Sequence, residues 1–271
     1  MNDSPASEAD VVNLSKSSVA RAYDYLLGGK DNYEVDREFA RGLLNRDSQM
    51  AITAKLNKEF GYRAVEYLAR HGVKQFLDLG SGIPTSPPSV HETARRVHAD
   101  AKVVYVDHDP VVAVHNRVFR AVSSGLAVIQ ESLTNVDRIL AHEEFQSNID
   151  LGEPVGVMFL SVLQNTPLER AVEVLARLRS RLAPGSYLAI THVSDTASAS
   201  VKRMVAEKTE AGIYPQTWFR SDADILEFFT GFDLVEPGLV DYRDWRPTIA
   251  QQDDRPELHT PLRGGVGRLA G

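Results

Sequence analysis

Cysteine is absent from this chain of 271 residues, and tryptophan occurs only twice. Without cysteine the protein cannot form disulfides, zinc–thiolate sites, iron–sulfur clusters or a thiol nucleophile. No run of about 18 apolar residues occurs, which is the length that a membrane-spanning helix requires. Lysines and arginines form no block and the net charge is −7, so nucleic acid is not an expected partner. These absences lead us to expect a soluble globular protein.

Metal ligands and targeting signals are equally scarce. The eight histidines are scattered, and no pair has the helical spacing of metal ligands beside a carboxylate, so we expect no metal site. Residues 1–16 are polar, acidic and rich in serine, and they lack the basic start and the apolar core of a signal peptide. We therefore expect a flexible tail over 1–16 and a cytoplasmic protein.

Apolar runs alternate with helical patterns from Gln75 onward. Strands are predicted at 75–80, 103–107, 126–130, 155–161, 186–193 and near 232–236, with one short last strand around Gly264–Gly267. Helices are predicted between these strands, including one over 135–145. Such alternation favours an α/β fold whose doubly wound, mostly parallel sheet carries helices on both faces.

The residues before the sheet predict helices only. Helices are expected from Ser17 or Ser18 to Leu27, over 36–44, and from Asp47 or Ser48 to His71, and the Gly28-Gly29 pair ends the first of them. We predict a helical cap over 17–73 and a ligand-binding domain over 74–271.

The most informative stretch is Gln75 to Thr85, which reads QFLDLGSGIPT. Its glycines at 80 and 82 let the backbone pass close to a ligand. The next apolar run ends in Asp107, and an acid at that place commonly holds a ribose diol. Asp78 stands two residues before the first glycine and no G-x-G-x-x-G follows. This pattern points to S-adenosylmethionine rather than to a dinucleotide.

Polar residues at the predicted strand ends form the candidate cofactor site, because ligands of open parallel sheets lie outside the carboxyl ends of the strands. Carboxylates there can meet the ammonium group and the ribose hydroxyls of the ligand, and Glu131 and Ser132 lie where its adenine would be read. A tight strand-to-helix turn and a helix cap at Asp107 are the structural alternatives, although Asp109 suits the cap better. The candidates are Asp78, Gly80, Ser81, Gly82, Asp107, His108, Glu131, Ser132, Leu133 and Ser161.

Several of these motifs together resemble the bacterial S-adenosyl methyltransferase family over residues 17 to 268. The resemblance rests on the N-terminal segment SVARAYDYLLGGKDN (18–32), the glycine stretch (75–85), VVYVDHDPVV (103–112), LVEPGLV with WRP (234–247) and GGVGR (264–268). It implies a seven-stranded class I methyltransferase sheet with a helical N-terminal cap, and S-adenosylmethionine as cofactor, with S-adenosylhomocysteine as product. It implies no particular methyl acceptor.

Two departures from the family pattern affect the site. After the third strand the family usually has Ala-Asp-Leu-Arg, whereas this chain has Glu131-Ser-Leu-Thr134. After the fourth strand the family often has a histidine near position 164 or 165, where this chain has Gln164 and Asn165. The second departure removes a candidate general base, so no catalytic residue is predicted.

The first hypothesis is a methyltransferase that acts on a small-molecule acceptor. Candidates for closing the pocket or meeting the acceptor are Tyr25, Lys30, Asn32, Tyr33, Gln164 and Asn165, with Gly28-Gly29 as a possible hinge. The alternative is a non-catalytic module that binds the same ligand, which the missing histidine favours slightly. A nicotinamide oxidoreductase is a weak third hypothesis, because the dinucleotide glycine pattern is absent.

Overall fold

Three helices precede the sheet in the computed structural model, which describes residues 16–84, 88–120, 124–249, 251 and 258–271. They are α1 (Val19–Leu26), α2 (Glu34–Arg46) and α3 (Met50–Arg70). The tail predicted over 1–16 lies outside the described residues except for Lys16.

The sheet contains the predicted parallel strands. Its strands are β1 (Gln75–Leu79), β2 (Lys102–Asp107), β3 (Leu126–Gln130), β4 (Val155–Leu160), β5 (Tyr187–Val193), β6 (Phe232–Leu234), β7 (Val240–Asp241) and β8 (Leu262–Leu269). Seven of them lie side by side in the order β3-β2-β1-β4-β5-β8-β6, and the two-residue β7 pairs with β8 off this path. Strands β1 to β5 are parallel, and β8 runs antiparallel to both β5 and β6. The α/β fold with a mixed, mostly parallel sheet is thus confirmed.

Helices connect the strands and cover both faces of the sheet. They are α4 (Val90–Arg95), α5 (Pro110–Arg120), α6 (Val136–Ala141), α7 (Glu143–Asn148), α8 (Leu168–Arg179), α9 (Ala199–Glu210) and α10 (Asp222–Glu227). The single helix predicted over 135–145 is two helices, because the backbone of His142 is extended, with ψ 135°. Within the described residues, no helix has both the length and the apolarity to cross a bilayer.

Strand β8 differs most from its prediction. It is eight residues long and lies between β5 and β6, whereas the sequence suggested one short last strand. Its glycines explain how it fits there. A Cβ on Gly264 would stand 2.8 Å from the Phe60 ring and 3.0 Å from the Cα of Tyr242, and one on Gly267 would stand 2.8 Å from the Cβ of Phe232. Glycine therefore lets other elements pack directly on this strand.

The cores on the two sheet faces follow from the alternation of side chains along the strands. Val103 and Tyr105 of β2 face a core shared with α3, and Val104 and Val106 face the opposite core. A third cluster joins the cap to the rest of the chain, because α2 packs on α9. In it the ring of Phe39 stacks on Tyr214, with the ring centroids 3.8 Å apart.

Candidate functional site

A cavity of about 890 Å³ lies at the carboxyl ends of β1 to β4, bounded on the other side by α1 and α3. The structure brings all ten predicted cofactor residues to its wall. These are Asp78, Gly80, Ser81, Gly82, Asp107, His108, Glu131, Ser132, Leu133 and Ser161. Their contacts with a cofactor stay a prediction, and the geometry below shows what each can offer.

The turn after β1 needs both of its glycines. Gly80 and Gly82 have φ angles of 75° and 64°, in the left-handed region that side chains disfavour. A Cβ on Gly80 would collide with Val162, whereas no described atom lies within 4 Å of the place where a Cβ on Gly82 would stand. The Nδ2 of Asn116 on α5 donates to the Gly82 carbonyl at 3.1 Å and holds the turn from outside. Gly82 thus leaves open space for a ligand beside the backbone.

Asp107 is a buried carboxylate that holds the same turn. Its Oδ2 accepts from the N–H of Gly82 at 3.0 Å, and its Oδ1 accepts from the N–H of Asp109 at 3.0 Å. Burial raises the pKa of Asp107, although the charge of His108 and these two hydrogen bonds act in the opposite direction. Each carboxylate oxygen keeps a second lone pair, which suits the two hydroxyls of a ribose.

The next strand end supplies a second acceptor group, Glu131. Its Oε1 accepts from Asn135 Nδ2 and from the N–H of Ser132, both at 2.8 Å. Burial alone would raise the pKa of Glu131, but these hydrogen bonds lower it below its usual value. An ionised, fixed carboxylate beside the ribose position can accept from a base amino group or from a hydroxyl.

Ser161, at the end of β4, adopts a left-handed conformation with φ 53°, and such strain in a non-glycine residue is typical of functional sites. Its Oγ lies 3.4 Å from Thr191 Oγ1, which donates to Asn57 Oδ1 at 2.6 Å. Asn57 Nδ2 in turn donates to the hydroxyl of Tyr23 at 2.9 Å. A line of hydrogen bonds thus joins the sheet side of the cavity to α3 and α1.

The cap contributes residues that the sequence analysis missed. Lys58 and Tyr62 on α3 line the cavity, as does Asp24 on α1. The helix comes close because of Gly61, since a Cβ there would stand 2.6 Å from Leu160 Cδ1. Burial lowers the pKa of Lys58 to about 8, although the negative charges of Asp78 and Asp24 act to raise it. In the sequence, the signal for Lys58 and Tyr62 is that both are polar residues on one face of a helix that packs on the rest of the protein.

Of the six predicted cap and acceptor residues, only Asn165 lines the cavity. Asn32 is buried and donates to Asp24 Oδ2 at 2.8 Å, where the N–H of Asp31 also donates. A Cβ on Gly29 would collide with Asp24, so this glycine lets the loop after α1 close around that carboxylate. The role of Gly28-Gly29 as a hinge stays a prediction.

The other four predicted residues lie away from the cavity wall. Gln164 donates to the Ser161 carbonyl at 2.6 Å. Lys30 and Tyr33 are exposed, and the ring of Tyr25 faces Arg41. Their roles toward an acceptor stay predictions.

The comparisons with known proteins agree with this geometry. The sequence model of the S-adenosyl methyltransferase family matches residues 5–270. The chain belongs to this family. Similar solved structures include a presumed methyltransferase from Thermobifida fusca YX, with 34% identity, full coverage of both chains and a TM-score of 0.88. A DUF574 family protein from Streptomyces avermitilis MA-4680 has 32% identity and a TM-score of 0.88, with 95% of this chain and 100% of that chain covered. No curated protein matches the sequence.

Membership makes the protein an S-adenosylmethionine-dependent methyltransferase. The residues present fit that cofactor. Gly82 leaves room beside the turn, Asp107 has lone pairs to spare, and the ionised Glu131 follows in the next strand.

Proposed function

We propose that this methyltransferase acts on a small molecule held in the cavity between the cap and the strand ends. The observation that carries the proposal is the cavity itself, at about 890 Å³. Pockets for small ligands span about 300–1,000 Å³, so the space suits a cofactor together with a modest acceptor. Tyr23, Tyr62 and residues 212–216 also line this space.

Each strand end has a distinct task in the proposal. Asp107 accepts from the ribose hydroxyls, Asp78 faces the ammonium group, and Glu131 with Ser132 meets the adenine. The bound cofactor supplies a methyl group activated by a sulfonium. The protein's own task is to orient the acceptor in line with that methyl group and to exclude water.

Lys58 takes the place of the missing histidine in this proposal. Lys58 lines the cavity, and it makes no hydrogen bond or ion pair to the described part of the chain. With a pKa of about 8, its amine is partly neutral near physiological pH and can accept a proton from an acceptor that must lose one. Tyr62 stands one helical turn further along α3, and burial raises its pKa to about 12, so it stays a hydroxyl donor.

Calorimetry tests the cofactor site. S-adenosylhomocysteine should bind to the full chain, and NAD and ATP should bind much more weakly. Asp107→Ala should weaken binding of S-adenosylhomocysteine by about 2–4 kcal/mol, since charge-assisted hydrogen bonds in a buried site are lost. The matched control is Asp233→Ala, the same change at an exposed position of β6. Equal affinity for NAD, or an unchanged affinity in Asp107→Ala, would contradict the proposed site.

A labelling experiment tests the acceptor class. The protein is incubated with a cell extract and with cofactor that carries a radioactive methyl group, and the extract is then separated by size. Label should appear in the small-molecule fraction and should be lost with Lys58→Met if the acceptor gives up a proton. Label that enters only protein or nucleic acid would show that the acceptor class is wrong.

A further inference from the structure

Arg21 on α1 is a buried cation with a partner in each of three directions. Its side chain is 5% exposed. Its Nε donates to Asp36 Oδ2 at 2.8 Å, its Nη1 to Asp109 Oδ2 at 3.2 Å and its Nη2 to the Lys16 carbonyl at 3.0 Å. A guanidinium can hold such a fixed fork, whereas the ammonium of a lysine acts as a single point charge.

One side of this fork belongs to the cap. Asp36 is fully buried, and besides Arg21 it accepts from the N–H groups of Ser18 and Tyr33, both at 2.9 Å. These two residues precede α1 and α2, so Asp36 holds the starts of both helices. Arg21 is thereby fixed to the cap as a whole.

The other side of the fork leads to the cofactor site. Asp109 starts α5, where its Oδ1 accepts from the N–H of Val111 at 2.9 Å. Its own N–H donates to Asp107 Oδ1, and Asp107 Oδ2 accepts from the Gly82 N–H. An unbroken series of contacts therefore runs from the cap through Asp109 and Asp107 to the glycine turn.

Helix capping does not require the contact between Arg21 and Asp109, because Asp109 Oδ1 alone caps α5. Removing one partner of a buried ion pair leaves an uncompensated charge and destabilises the fold, so affinities are compared only among variants that fold. The contact does place a positive charge next to a group of buried carboxylates that includes Asp107. We propose that Arg21 is a positioning residue: through Asp109 it fixes the Asp107 carboxylate that receives the ribose, and so makes the cap part of the cofactor site. The inference rests on the proposed role of Asp107.

Affinity for S-adenosylhomocysteine, measured by calorimetry on the full chain, tests the inference. Arg21→Lys should weaken binding at least tenfold, because a lysine cannot hold both carboxylates in place. Asp109→Asn keeps an oxygen for the cap of α5 but loses the ion pair, and it should give a similar loss. The matched control is Arg41→Lys, whose arginine pairs with Glu34 on the exposed face of α2, and it should stay within twofold of the unmodified protein.

A double-mutant cycle separates positioning from general damage to the fold. In an Asp107→Asn background, Arg21→Lys should reduce affinity by less than threefold, because the carboxylate on which it acts is gone. The same fold loss in both backgrounds would overturn the inference, as would unchanged affinity in both Arg21→Lys and Asp109→Asn. If Arg21→Lys fails to fold by circular dichroism, Asp109→Asn takes its place in the cycle. An unmodified protein that does not bind the ligand would instead overturn the proposed function.

Discussion

Lys58 is a residue whose charge weakens the folded protein. Its pKa in the folded state is about 8, below the value of an unfolded lysine, so folding disfavours the protonated amine. The free-energy cost of burying the charged amine is fully present below pH 8. It disappears as the pH rises toward about 10.4, where the unfolded lysine also loses its proton. A destabilising residue in a cavity is typical of a functional site.

We therefore expect Lys58→Met to raise the free energy of unfolding at pH 7 by about 1–3 kcal/mol, with the gain shrinking between pH 8 and pH 10. Urea denaturation at several pH values measures this difference. Lys55→Met, on an exposed position of the same helix, is the control and should change stability by no more than about 0.5 kcal/mol. A gain that does not depend on pH would mean that apolar packing, and not the lysine charge, is responsible.

Site residues at the ends of strands could be predicted from the sequence, whereas site residues that reach the cavity only through the packing of distant elements could not. Gly82 and Asp107 belong to strand ends whose pattern is visible in the sequence, and they line the cavity as expected. Lys58 could not be found this way, because it faces the cavity only through the close approach of α3 at Gly61. The amide of Asn32 donates to the Asp24 carboxylate, a side-chain contact that the sequence does not reveal, and its role toward an acceptor stays a prediction.

At the scale of elements, the glycines of β8 have a packing role. Gly264→Ala should destabilise the protein by about 1–3 kcal/mol, because the new methyl group would meet the backbone of Tyr242 and the ring of Phe60 at or below 3.0 Å. Thermal unfolding measures the loss. Gly271→Ala is the matched control, since a Cβ there meets only Pro184 at 3.7 Å. Equal melting temperatures for the two variants would show that β8 has room to move.

Element boundaries show where sequence reasoning stops. The parallel strands were predicted closely, because buried β-strands form short apolar runs between turn residues. The length and place of β8 were not predicted, because three glycines in six residues weaken a strand pattern and gain their meaning only from the neighbours that pack on them. The break at His142 likewise has no glycine or proline to mark it.

At the scale of the whole molecule, the predicted cap and the sheet share a core. Phe60, Val65 and Leu68 of α3 pack in the core on one face of the sheet, and Arg21 of α1 reaches Asp109. We expect urea to unfold the chain in one transition, with coincident changes in tryptophan fluorescence and circular dichroism. S-adenosylhomocysteine at 100 times its dissociation constant should add about 2.7 kcal/mol to stability. A cap that melts first, without affecting the rest, would contradict this prediction.

The interior place of β8 also constrains how the chain reaches its fold during synthesis. Strand β5 ends at Val193 and forms its antiparallel ladder with residues 262–268, so almost 70 further residues must leave the ribosome before that edge of the sheet is paired. Until then β5 presents a row of open N–H and C=O groups on a strand that is fully buried in the folded protein, which is the kind of edge that recruits other chains. Ribosome stalling or premature termination between these two strands would therefore produce an aggregation-prone intermediate. Chaperones should bind the nascent chain most strongly in that interval of translation.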